Sequence, residues 1–135
     1  MKASYNALLI TVMSTLLAHT TYAQTCNSQI KKVVPDTRYQ IVEGSNGSEV
    51  KDIKTGLIWQ RCSVGQMWAN NQCYGTPQSY TWSEALQKTK ALGNSYRLPN
   101  VKELQTLVEE ACVSPAINET IFPTTAINDY WSSSP

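Results

Sequence analysis

Through residues 38–62 apolar side chains recur at every second position, and through residues 81–112 they recur at every third or fourth. The first pattern predicts strands. Residues 38–42 alternate and are rich in β-formers, Asn46-Gly47 supplies a turn that needs positive φ, and residues 50–53 return. A second tight turn over 54–56 leads into a strand over 57–62, so a β-meander opens the domain. The second pattern predicts helices. Thr81 with Glu84 three residues on, and Asn100 with Glu103, are capping-box signatures. In the first helix Ala85, Leu86, Thr89 and Leu92 form the buried face, and Gly93 ends it as a left-handed cap. In the second, Val101, Leu104, Leu107, Val108 and Ala111 share one face, with Lys102, Gln105, Glu109 and Glu110 on the other. Between meander and helices, residues 63–80 are polar, aromatic and glycine-bearing, and read as one long loop. Residues 117–123 read as extended and 128–134 as the start of a further strand. Trp59, Trp82 and Trp131 lie in periodic segments and are expected in the core.

Residues 1–23 carry the three parts of a secretory signal: Lys2, an apolar run over 7–18, and small residues at Thr21 and Ala23 before Gln24. The run is shorter than the ~20 apolar residues that span a bilayer, so no membrane span is expected after cleavage. Residues 24–37 show no period and read as an extended lead-in to a domain over 38–135.

Cleavage removes Lys2 and His19, leaving ten Lys+Arg against ten Asp+Glu and no histidine. A balanced charge offers no footprint for nucleic acid, and without histidine neither a Ser-His-Asp nor a Cys-His mechanism can be built. No cofactor is expected. Four cysteines in an exported chain read as two disulfides. Three pairings are open. Cys62–Cys73, closing a local loop, is favoured, which leaves Cys26–Cys112. A four-cysteine zinc site is the rival, although such sites prefer closely spaced pairs.

Several phrases occur in order: Thr55-Gly56-Leu57-Ile58-Trp59-Gln60-Arg61-Cys62, Tyr80-Thr81-Trp82-Ser83-Glu84-Ala85-Leu86, and Tyr96-Arg97-Leu98-Pro99-Asn100 running on to Gln105. Ile117-Asn118, Phe122-Pro123 and Tyr130-Trp131-Ser132 complete the set. In these the chain resembles the Lcl C-terminal domain family, a bacterial domain of unknown function named for a collagen-like adhesin. More distantly it is similar to the formylglycine-generating-enzyme and C-type-lectin-like group. The resemblance implies an α+β fold in which two helices pack on a small, loop-rich antiparallel sheet. Family members continue beyond the Trp-Ser-Ser-Ser phrase, so an incomplete C-terminus is expected.

The function implied is a secreted or cell-envelope binding module, adhesin-like and not an enzyme, whose loops read a glycan or a surface protein. Alternatives are a fragment of a formylglycine-generating-type enzyme, or a structural domain of a surface assembly; oligomerisation is open. Trp68, Asn70, Asn71 and Tyr74 on the 63–80 loop are the candidate ligand residues, because aromatic faces and amides suit sugar hydroxyls. Arg97 is a further candidate for an acidic ligand, set against a structural ion pair beside the helix start. Glu103 and Glu109 could pass for an acid/base pair, but capping accounts for the first and exposure to solvent for the second.

Overall fold

A computed structural model of the chain describes residues 23–93 and 96–134. The expected signal over 1–23 therefore lies, except for Ala23, outside the described residues. The elements in order are β1 (Thr25–Cys26), a 3-10 turn (Asp36–Arg38), β2 (Tyr39–Ile41), β3 (Glu49–Asp52), β4 (Ile58–Gln60), β5 (Met67–Ala69) and β6 (Gln72–Tyr74). α1 (Trp82–Ala91), α2 (Val101–Gln105) and β7 (Cys112–Val113) follow. The architecture is α+β and loop-rich, with both helices where the capping boxes put them. Among the described residues the strands form not one sheet but three antiparallel ones: β2-β3-β4, β1-β7 and β5-β6.

The meander forms as its turns require. Asn46 and Gly47 both take positive φ, 52° and 83°, with the Ser48 amide bonded to the Ser45 carbonyl at 3.1 Å. The second turn is held by Asp52, which is fully buried. Its carboxylate is gripped by the Arg38 guanidinium at both oxygens and accepts from the Thr55 hydroxyl at 2.8 Å and the Lys54 amide at 2.9 Å. The turn leading into β2 is thus tied to β3 by charge, beside the ladder between the two strands.

The core gathers Val34, Tyr39, Val50, Leu107, Ile121 and Phe122, with Trp59, Leu104 and Ile117 packed against it. Tyr39 meets Phe122 edge-to-face at 5.4 Å. Val34 belongs to the stretch read as a lead-in, and three sets of polar contacts fix that stretch to the C-terminal half. Glu109 accepts the amides of Val33, Val34 and Ala111 at 3.2, 3.0 and 3.1 Å. Asn118 donates to the Val34 carbonyl at 2.8 Å and to Asp36 at 2.7 Å. Gln24 donates to the carbonyls of Pro115 and Ile117 at 2.7 and 2.6 Å. Cys26 and Cys112, cross-strand neighbours in the β1–β7 ladder, are bonded as a disulfide, and Cys62 to Cys73 as another.

Four expectations are corrected. α2 ends at Gln105 instead of running towards Cys112. Its last turn tightens through Leu107 to Leu104 and Val108 to Gln105 bonds, after which Val108 bridges Ile117. A longer helix would carry Glu109 to the solvent face and leave the Val33 and Val34 amides without their acceptor, so the periodicity is overridden from Thr106 onwards. Glu109 is 1% exposed, whereas Val101 and Val108, expected inside, are exposed. Second, residues 63–80 are no bare loop: β5 and β6 form a hairpin through Asn70 and Asn71, whose φ of 47° and 59° make the turn. Third, residues 128–134 form no strand. Fourth, of the three tryptophans only Trp59 packs on the core; Trp82 and Trp131 are 44% and 51% exposed.

Among the described residues no helix is long and apolar enough to cross a membrane, and no group of His, Cys, Asp and Glu is placed to hold a metal. Two disulfides in so small a domain are consistent with export.

The two crosslinks close loops of very different length, with sequence separations of 86 and 11 residues. In the chain-entropy model the longer loop stabilises by about 1–2 kcal/mol more. Replacing Cys26 and Cys112 by serine should therefore lower the urea midpoint further than replacing Cys62 and Cys73. Acid should act through Asp52. Burial alone would raise its pKa, but Arg38, Thr55 and the Lys54 amide outweigh that and hold it at about 2 against an ordinary 3.8. A depressed carboxylate contributes stability that is complete above pH ~4 and is lost as pH falls towards 2. Urea titrations between pH 6 and pH 2 should show this loss, and Asp52→Asn, less stable at pH 6, should show a shallower acid slope.

Candidate functional site

The sequence-predicted ligand residues divide between two places. Trp68, Asn70, Asn71 and Tyr74 ride on the β5–β6 hairpin, which the Cys62–Cys73 disulfide ties to the end of β4. Trp68 turns inwards on its strand. Its indole N–H donates to the Asn46 carbonyl at 3.0 Å, and its ring lies against Gly47. Arg61 stacks on that ring, the guanidinium carbon 4.1 Å from the ring centroid. The same guanidinium donates to the carbonyls of Gly47, Thr120 and Ile121 at 3.0, 3.0 and 2.6 Å. Burial lowers the Arg61 pKa, and three carbonyls with an aromatic face take the place of an anionic partner. Arg61 and Trp68 together fasten the meander's first turn to the hairpin and to the segment before Phe122. Asn70 and Asn71 serve the turn. Tyr74 remains half exposed beside Met67, its cross-strand neighbour.

Arg97 lies elsewhere. It makes a two-pronged pair with Glu103 at 2.6 and 2.7 Å, while Glu103 also accepts the Asn100 amide at 2.9 Å to complete the capping box of α2. The guanidinium and that amide hold the Glu103 pKa at about 2. Arg97 is exposed on its other side and faces a wide cleft.

That cleft is a groove of roughly 1290 Å3 between β4 and α1, above the volume of most small-molecule pockets. Ile58, Trp59 and Gln60 line one wall; Ala85 and Thr89 of α1 line another, with Leu92, expected on the buried face but exposed just past the helix end. Leu104, Leu107 and Phe122 bring core side chains to its surface. Tyr80, Tyr96, Tyr130 and Trp131 add aromatic rims. None of Trp68, Asn70, Asn71 and Tyr74 reaches it; Arg97 does.

The C-terminal segment is laid along this groove by single hydrogen bonds. Trp131 donates its indole N–H to the Tyr80 carbonyl at 2.7 Å, and Trp82 donates its own to the Ser132 carbonyl at 2.9 Å. The Ser133 amide donates to the Pro99 carbonyl at 2.7 Å, and Ser134 accepts the Val101 amide at 3.0 Å. The segment thereby satisfies a backbone donor in the first turn of α2. Tyr96 reaches across to Glu49, and both that bond and burial raise its pKa. Sequence reasoning missed the groove because its wall and its rims come from distant segments. One signal was present: Tyr80 and Tyr96 stand just before the capped starts of the two helices instead of mid-element, where aromatics pack inwards.

Neither the curated proteins nor the solved structures yield a match to this chain. The family model described as the Lcl C-terminal domain matches residues 48–135, from the meander's first turn through both helices and the groove-lining segment. On that match, which covers more than half of the sequence, the chain belongs to the Lcl C-terminal domain family.

Proposed function

We propose that this is an exported, adhesin-like binding domain that takes a glycan or a surface protein in the groove between β4 and α1. The observation that carries the reading is the groove itself: a wide cleft with core side chains in its walls, aromatic rims and polar groups at its lip. Aromatic faces backed by a few fixed polar groups are what both carbohydrate and protein recognition use. The two disulfides support export, and Cys62–Cys73 braces the groove at the end of β4. A C-type-lectin-like arrangement, in which loops on a stapled scaffold present the ligand surface, fits the same features.

The β5–β6 hairpin is a second place where a sugar could stack, through the half-exposed Tyr74. Surface plasmon resonance of the oxidised protein against immobilised polysaccharides and extracted surface proteins separates the two. Ile58→Arg should fill the groove and cut binding at least tenfold, while Tyr74→Ala should leave it within twofold. The opposite order would move the site to the hairpin, and no retained ligand on either panel would count against a binding module.

A further inference from the structure

We infer that the Cys26–Cys112 disulfide is a redox-sensitive latch, opened by a dithiol that attacks Cys26 while the domain stays folded. Access singles out both the bond and the sulfur. Exchange begins when a thiolate reaches one sulfur of the disulfide, so exposure decides which sulfur is struck. Cys26 is exposed, and its Sγ makes a surface contact with the Gln24 side-chain oxygen at 3.5 Å. Cys112 is 3% exposed and Cys73 6%, with the Cys73 Sγ under the Arg61 carbonyl at 3.6 Å, and Cys62 is half-buried. Burial makes Cys112 the poorer leaving group, which slows the step. A sulfur that no thiolate can reach is not attacked at all, so access wins.

The ladder says what kind of thiol succeeds. The first thiolate bonds to the Cys26 Sγ, the bond to Cys112 breaks, and the Cys112 sulfur leaves with the electron pair and takes a proton. Cys26 and Cys112 are direct partners in the β1–β7 ladder, so Cys112 stays beside the mixed disulfide and expels a monothiol. A dithiol escapes this return, because its second thiol attacks its own sulfur on Cys26 and closes to a disulfide. Two electrons and two protons have then passed from the dithiol to the two cysteines.

The opened seam keeps its other ties. Glu109 still accepts the Val33 and Val34 amides, Asn118 still donates to the Val34 carbonyl, and Val34 remains in the core. The freed Cys26 thiol has an acceptor in place, since the Gln24 carboxamide that offers its oxygen is fixed by the carbonyls of Pro115 and Ile117. What the latch itself secures is the two-residue β1 and the Asn27 amide to Ala111 carbonyl bond at 2.8 Å. The crosslink that closes the longer loop, and so constrains the unfolded chain more, is thus the one that can be removed from the native state. Redox conditions set how stable the domain is without unfolding it.

Pulsed alkylation tests this on the oxidised protein at pH 8, with millimolar dithiothreitol as the dithiol and 2-mercaptoethanol at the same thiol concentration as the monothiol. Peptide mass spectrometry should find Cys26 and Cys112 alkylated at least tenfold faster than Cys62 and Cys73. 2-Mercaptoethanol should open the bond at least tenfold less, and its trapped adduct should sit on Cys26. Hydrogen exchange of the opened form should show the Asn27 amide losing protection while Val33 and Val34 keep theirs. In concentrated urea, where access is equal, the preference between the two disulfides should vanish. Opening of Cys62–Cys73 first or at the same rate would overturn the inference, as would an adduct on Cys112. Loss of the Val33 and Val34 protection in step with reduction would overturn it too, because the bond would then open only by unfolding.

Discussion

One buried carboxylate decides how this chain is arranged. Glu109 is inaccessible to water, yet it is held ionised: burial opposes the charge, and the amides of Ala111, Val34 and Val33 with nearby Lys32 overcome it, leaving the pKa below the ordinary value. Those amides belong to segments some 75 residues apart in sequence. The group therefore acts as a staple between the start of the chain and the turn after α2. Asn118, Gln24 and the Cys26–Cys112 disulfide work on the same seam, and Val34 fills the core beneath it. A covalent bond alone would leave the 24–37 stretch free to swing about β1; the carboxylate gives it a conformation.

Much of this fold could be read from the sequence where the determinants are local. Both capping boxes form as spelled, since Thr81 with Glu84 and Asn100 with Glu103 act within a single turn. Asn46-Gly47 makes its turn for the same reason. Of the three open disulfide pairings, the favoured one, with the local Cys62–Cys73 loop, is the one that forms. What could not be read depends on partners distant in sequence. Apolar spacing ran the second helix on past Gln105, because nothing near Glu109 says that its acceptors are wanted by Val33 and Val34. The Asn70-Asn71 turn went unnoticed within a segment dominated by its glycines and aromatics. Trp82 and Trp131 sat on plausible faces, but each spends its indole N–H on the other's neighbourhood at the surface.

The same division runs through the candidate site. Chemistry that the sequence assigned to loop residues turned out to be partly structural: Trp68 and Arg61 are joined to each other and to three carbonyls, and Arg97 completes the charge of a helix cap. What is left open to a ligand is a space between elements, bounded by a strand edge, a helix face and aromatic rims. Stapling and charge pairing keep that space in shape; they do not fill it.

The most direct test of this account is Glu109→Gln, which keeps the side chain's shape and replaces one acceptor oxygen with a donor group facing amides. Chemical denaturation with both disulfides intact should show a loss of about 3 kcal/mol, and hydrogen exchange should show the Val33 and Val34 amides losing protection first. A loss below about 0.5 kcal/mol, within the range of an ordinary surface substitution, with those amides still protected, would contradict it, and would leave Asn118, Gln24, the disulfide and the core to hold the N-terminal segment.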